Sequence, residues 1–188
     1  MNQTLSPPTA KRGNPLRPFI WGGAALLLCV PLVAMQFTDE VNWDGFDFLV
    51  MGFLLGGACG AYELGARLSG HWAYRGGFAV AILGGFLMTW INLAVGIVGS
   101  EDNPVNGLFF AILLVGAIAA PLGRFRPMGM ARAMYATAIA QGLVTAWIAL
   151  AGHGYTFVLA GFFIAVWLSA AHLFRRAHED AQIADQVS

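Results

Sequence analysis

Long apolar, uncharged stretches alternate with short polar connections along this chain. Residues Pro18 to Thr38, Gly76 to Ser100 and Asn103 to Gly123 carry no acidic or basic side chain. Each exceeds the ~20 residues that cross ~30 Å of hydrocarbon. The stretch from Ala133 to Phe174 is about twice that length and breaks at Gly152-His153-Gly154-Tyr155, so it reads as two helices joined by a tight turn. Phe46 to Arg67 has Asp47 and Glu63 near its ends, yet Phe48 to Tyr62 is uncharged and an odd number of crossings is needed there. The pattern predicts six transmembrane helices near 18–37, 46–66, 76–99, 104–123, 131–151 and 155–175. The fold class expected is all-α, a polytopic six-helix bundle spanning 17–176. Residues 1–16 and 177–188 read as tails. The first apolar run exceeds a signal-peptide core, and Leu32-Val33-Ala34-Met35 lacks a small-x-small cleavage site, so it reads as a retained helix.

Charge then orients the bundle. The ten basic residues fall in groups: Lys11, Arg12 and Arg17; Arg67 and Arg75; Arg124, Arg126 and Arg132; Arg175 and Arg176. All lie on one side of the six segments, whereas Asp39, Glu40, Asp44, Asp47, Glu101 and Asp102 occupy the opposite connections. That is the positive-inside pattern, with both termini in the cytoplasm. Composition agrees: 58% of residues are hydrophobic and 11% charged, against about 45–50% and about 25% in soluble domains. A net charge of zero leaves no nucleic-acid footprint. Cys29 and Cys59 stand in no metal or redox spacing and read as small buried residues.

The chain also matches itself. At a shift of 57, Arg75, Ala79, Ala81, Ile82, Gly85, Trp90, Ile91 and Leu93 fall on identical residues from Arg132 to Leu150, relating helix 3 to helix 5. At a shift of 109, Phe48, Gly52, Phe53, Ala61, Leu64 and Arg67 fall on identical residues from Phe157 to Arg176, relating helix 2 to helix 6. Direction is kept in both pairs, so the expected unit is a parallel repeat of helical hairpins, with chance similarity among Gly/Ala/Leu-rich helices as the alternative.

Lipid tails are as apolar as leucine, so small residues that let backbones approach are what join helices. Gly52, Gly56 and Gly60 on helix 2, and Gly161, Ala165 and Ser169 on helix 6, are the expected packing ladders. Pro31 and Pro121 fall inside helices 1 and 4. Trp21, Trp43, Trp72, Trp90, Trp147 and Tyr155 read as interfacial anchors.

Few residues carry candidate chemistry. Glu63 lies eleven residues after Gly52 and His172 eleven after Gly161, so both are expected on inward faces, each one turn before an arginine. An inward carboxylate and imidazole at matched depth would suit a proton relay; the plainer alternative is an i+4 pair with Arg67 or Arg176 at the interface. Asn92 and Gln141 are the deepest polar residues, suited to interhelical hydrogen bonds or to lining a path. The outer acids have the oxygen chemistry of a cation site but no ligand spacing. Asn103-Pro104 reads instead as a helix start, and Asp44 or Asp47 as a cap for helix 2. No nucleophile-elbow or Walker-type sequence occurs, no clear histidine pair suits haem, and neither cofactor nor metal is implied.

The stretch Asn92-Leu-Ala-Val-Gly-Ile-Val-Gly-Ser-Glu-Asp-Asn-Pro104, followed by Arg124-Phe-Arg-Pro-Met-Gly-Met-Ala-Arg132, resembles a group of small six-helix bacterial inner-membrane proteins without assigned activity. The resemblance covers most of helices 2 to 6 and implies a bacterial inner-membrane location, but no substrate or catalytic residue. Three functions follow as expectations. A small permease or ion-coupled transporter, placed first, needs Glu63, Asn92 and Gln141 on a shared cavity. An accessory subunit of a larger membrane complex, or a homo-oligomer, needs a packed bundle with an exposed small-residue face. A lipid-modifying enzyme, placed last, needs a polar cluster at one interface.

Overall fold

The computed structural model describes residues 16–154 and 156–187. The expected N-terminal tail, but for Leu16, and the proposed anchor Tyr155 lie outside them. The described residues are helical, with no strand. In order come α1 (Arg17–Ala34), α2 (Gly45–Leu68), α3 (Trp72–Ala94), α4 (Gly107–Leu122, entered through a 3₁₀ turn at Pro104–Asn106), α5 (Pro127–Leu150) and α6 (Phe157–Val187). All six, with the 3₁₀ turn counted into α4, are long and apolar enough to cross a membrane.

The boundaries that moved have local causes. α3 starts at Trp72 because His71 Nδ1 accepts the backbone N–H of Ala73, at 3.3 Å. It stops at Ala94, short of 99, before Gly96 and Gly99, whose φ angles of +70° and +69° no helix tolerates. α5 starts at Pro127, a residue whose missing N–H costs nothing in a first turn. α6 does not end near Arg175, and the tail expected from Ala177 is helical through Val187. Ala177 is buried, Arg175 pairs with Glu179 at 3.2 Å, and Asp180 reaches His71 Nε2 at 3.2 Å. The charges that read as solvated tail are thus the solvated face of a helix.

The chain divides between Cys59 and Gly60 into two compact units. In the first, α2 buries Met51, Leu55 and Cys59, one residue per turn, and the Cys59 thiol lies 3.9 Å from the Ile20 carbonyl. Cys29 is exposed, contrary to expectation. Asp44 caps α2, accepting from the N–H of Phe46 and Asp47 at 2.7 and 3.0 Å, while Asp47 accepts from the N–H of Asp44 at 3.0 Å. This reciprocal arrangement satisfies donors that the helix itself leaves open.

In the second unit, α3 to α6 enclose the main core. α5 packs on α6 and α4, α6 packs on α3, and α3 meets α4. Tyr74, Phe78, Met88, Phe109, Ile112, Ile148, Phe163, Trp167 and Phe174 fill it. Tyr74, Phe78 and Phe174 form an aromatic cluster, with ring centroids 5.2 to 6.1 Å apart.

The glycines that permit close approach are not the expected ladders. A Cβ at Gly77 would meet the Ala170 carbonyl and the Phe174 ring at 3.2 Å. One at Gly84 would meet Val166 at 2.6 Å and the Trp167 ring at 3.0 Å, and one at Gly116 would meet Thr137 at 2.8 Å. Among the described residues, a Cβ at Gly52, Gly56, Gly60 or Gly161 would meet nothing within 4 Å. Ala165 and Ser169 are exposed, and the Ser169 hydroxyl donates to the Ala165 carbonyl of its own helix at 2.7 Å. The packed face of α6 is instead Ala160, Phe163, Trp167, Ala170 and Phe174.

Candidate functional site

The two ends of the second unit differ in chemistry. At one end the Tyr74 hydroxyl donates to the Phe125 carbonyl at 2.7 Å, joining the start of α3 to the α4–α5 turn. Arg75 donates through Nε to the Ser69 carbonyl at 3.0 Å and through Nη2 to the Ala66 carbonyl at 3.1 Å. The Arg176 guanidinium lies 5.3 Å from the Trp72 ring centroid. Arg124, Arg126, Arg132 and Arg175 are exposed at or near the same end. The segregation of basic residues in sequence is therefore a segregation in space within this unit. Arg124 and Phe125 both have φ of +53°. Their N–H groups bond the Pro121 and Ala120 carbonyls at 2.8 and 3.1 Å, a Schellman ending that has arginine where glycine is usual. The glycine sits one residue earlier, at Gly123, where a Cβ would collide with the Gly129 backbone.

At the other end, the loop from Val95 to Asn103 winds around one buried side chain. Asn106 Oδ1 accepts from the N–H groups of Ile97 and Val98 at 3.0 and 2.9 Å. Its Nδ2 donates to the carbonyls of Val98 and Ser100 at 3.4 and 2.7 Å. Asn92 donates to the Asn106 carbonyl at 2.9 Å. Asn103 caps the 3₁₀ turn through Val105 N–H at 3.0 Å, with Pro104 first in the turn as its sequence indicated. Ile97 and Thr156 to Leu159 line a shallow cavity of about 310 Å³, so the α3–α4 and α5–α6 connections meet at this end.

Between the ends, α5 turns a polar stripe into the core. Thr137, Gln141 and Thr145 follow at four-residue intervals and are all buried. The threonine hydroxyls satisfy themselves on the Ala133 and Gln141 carbonyls at 2.9 and 2.8 Å. The Gln141 carboxamide is 0% exposed, and neither Oε1 nor Nε2 has a partner among the described residues. The Trp167 indole nitrogen is orphaned in the same way.

The predicted site residues thus sit at three levels. Glu63 lies near the end of α2, 3.4 Å from Arg67, the i+4 pairing of its plainer reading. Asn92 is locked to the far loop, and Gln141 is in mid-core. His172 is exposed on α6, so the expected inward-facing Glu63/His172 pair is not formed. The eleven-residue spacing put His172 on the face of the small ladder, but the packed face of α6 runs through Phe163, Trp167 and Phe174.

Asn106, Thr137, Thr145 and Trp167 were missed. The four-residue spacing around Gln141 was the available signal for the threonines. For Trp167 it was being the sixth tryptophan and the one placed far from any interface. Among the described residues, no group of three or more His, Cys, Asp or Glu side chains could hold a metal ion. No family profile, curated protein or solved structure matches this chain.

Proposed function

We propose that this chain is an assembly subunit of the bacterial inner membrane, with both termini cytoplasmic, that associates with another membrane-spanning segment through its small-residue faces. One observation carries the reading. α6 buries its aromatic face in the core and leaves Gly161, Ala165 and Ser169 exposed along a neighbouring face. α2 has the matching series Gly52, Gly56 and Gly60, where an added Cβ would meet no described residue within 4 Å. In lipid, such faces are where backbones approach, and van der Waals contact rather than apolar burial is what they gain. The filled core and the three separate levels of Glu63, Asn92 and Gln141 give a through-path less support. A small permease is the second reading, favoured by the buried stripe Thr137, Gln141 and Thr145; no observation favours the enzyme.

The test is native mass spectrometry of the protein extracted from its own membranes in mild detergent, for wild type and for Gly161→Leu and Gly52→Leu. Both positions have open space, so the variants should fold. The expected result is a homo-oligomer or a stoichiometric partner in wild type that is lost in at least one variant. A partnerless wild-type monomer would overturn the reading and direct work to solute uptake.

A further inference from the structure

The middle of the α3–α6 core has polar groups that the protein does not satisfy. Gln141 and Trp167 come from different helices, are 0% and 2% exposed, and leave orphaned an amide oxygen, an amide nitrogen and an indole N–H. Buried polar groups in proteins are nearly always paired, and in a bilayer no outside water can reach them.

They also share a layer. α5 and α6 are antiparallel neighbours joined at Ala151 to Thr156. Gln141 lies nine residues before the end of α5 and Trp167 ten residues after the start of α6, so both sit roughly 14 to 15 Å from that turn. A third helix reaches this layer: a Cβ added at Gly84 on α3 would strike the Trp167 ring.

We propose that this layer is an internal water site: a water oxygen accepts the Trp167 Nε1–H and a water hydrogen is donated to Gln141 Oε1. The chemistry selects the ligand. It must both accept and donate, which excludes a simple ion or a hydrocarbon. No charged side chain lies on α3 to α6 at this depth to offset a charged guest, whose desolvation would be costly. It must also be small, since Met88, Ile112, Ile148 and Phe163, each at most 1% exposed, help close the core. The neighbouring hydroxyls of Thr137 and Thr145 have already given their hydrogens to carbonyls, and their oxygens remain free to accept.

The test is solution NMR of the full chain in detergent with ¹⁵N-labelled tryptophan, the Trp167 signal being assigned by its disappearance in Trp167→Phe. A rotating-frame cross-peak between the Trp167 indole proton and water, of the sign of proximity rather than exchange, is expected in wild type. It should be lost in Gln141→Leu at unchanged helicity. Absence of the cross-peak in wild type, which needs no variant to fold, would overturn the proposal. A wild-type indole signal without a water peak that moves in Gln141→Leu would show that the two side chains bond each other directly, and a cross-peak that survives Gln141→Leu would place the water elsewhere; either outcome also overturns it.

Discussion

Asn106 shows how much one side chain can organise. Its carboxamide satisfies two backbone donors and two backbone acceptors of a loop that has no helix or sheet to do so. Replacing it with alanine removes those partners and leaves buried backbone groups open, at about 1–3 kcal/mol for each group not reached by water. Asn106→Ala should therefore abolish hydrogen-exchange protection of the Ile97 and Val98 amides while leaving mid-helix amides of α5 protected. Arg124 illustrates the opposite situation. A left-handed non-glycine residue costs roughly 1–2 kcal/mol, partly offset in a glycine variant by the freer unfolded chain. Arg124→Gly should raise the apparent unfolding temperature slightly, whereas Gly123→Ala, pressed on the Gly129 backbone, should lower it. Glycines elsewhere divide by what faces them. Gly84→Ala should cost about 1–3 kcal/mol by forcing Val166 and Trp167 aside. Gly161→Ala, with open space inside α6, should instead raise stability of the isolated chain by about 0.5–1 kcal/mol in the same thermal assay. From the sequence these glycines are indistinguishable, because the distinction is which neighbour arrives.

At the scale of elements, six helices were legible from apolar length alone, and several of their ends from capping chemistry. Asp44/Asp47, Asn103-Pro104 and the glycine turn at Gly152 behave as their residue types predict. The end of α6 was not legible. A run of charged residues past a membrane boundary reads equally as tail or as helix, and the choice rests on tertiary partners: the burial of Ala177 and the bond from Asp180 to His71. His71 Nδ1 is already the acceptor for α3's first turn, and its Nε2 lies 3.2 Å from the Asp180 carboxylate. Asp180→Ala should cost no more than ~1 kcal/mol, as exposed pairs do, yet it should raise hydrogen exchange at Ser69 to His71 on the α2–α3 turn. The candidate relay fared worse than the helices that carry it. A helical repeat of eleven residues places Glu63 and His172 on the face of the small ladders, and that inference depended on those ladders being the packed faces.

For the whole molecule, the charge pattern makes the most direct prediction. In a background lacking Cys29 and Cys59, a cysteine at Glu101 should react with a membrane-impermeant thiol reagent from the periplasmic side, and one at Ala181 only after the inner membrane is opened. The reverse labelling would overturn the proposed orientation. What can be read from the sequence alone rests on local or one-dimensional physics: hydrocarbon thickness sets how long a span must be, and a cap needs only its own first turn. Which face of each helix is buried is not of that kind. Hydrophobicity cannot choose it in a chain that is apolar on all sides, since lipid and core are alike to leucine. Tertiary packing settles it, by bringing Phe163, Trp167 and Phe174 inward on α6 and turning Thr137, Gln141 and Thr145 into the core on α5, while Gly161, Ala165 and Ser169 of α6 stay exposed.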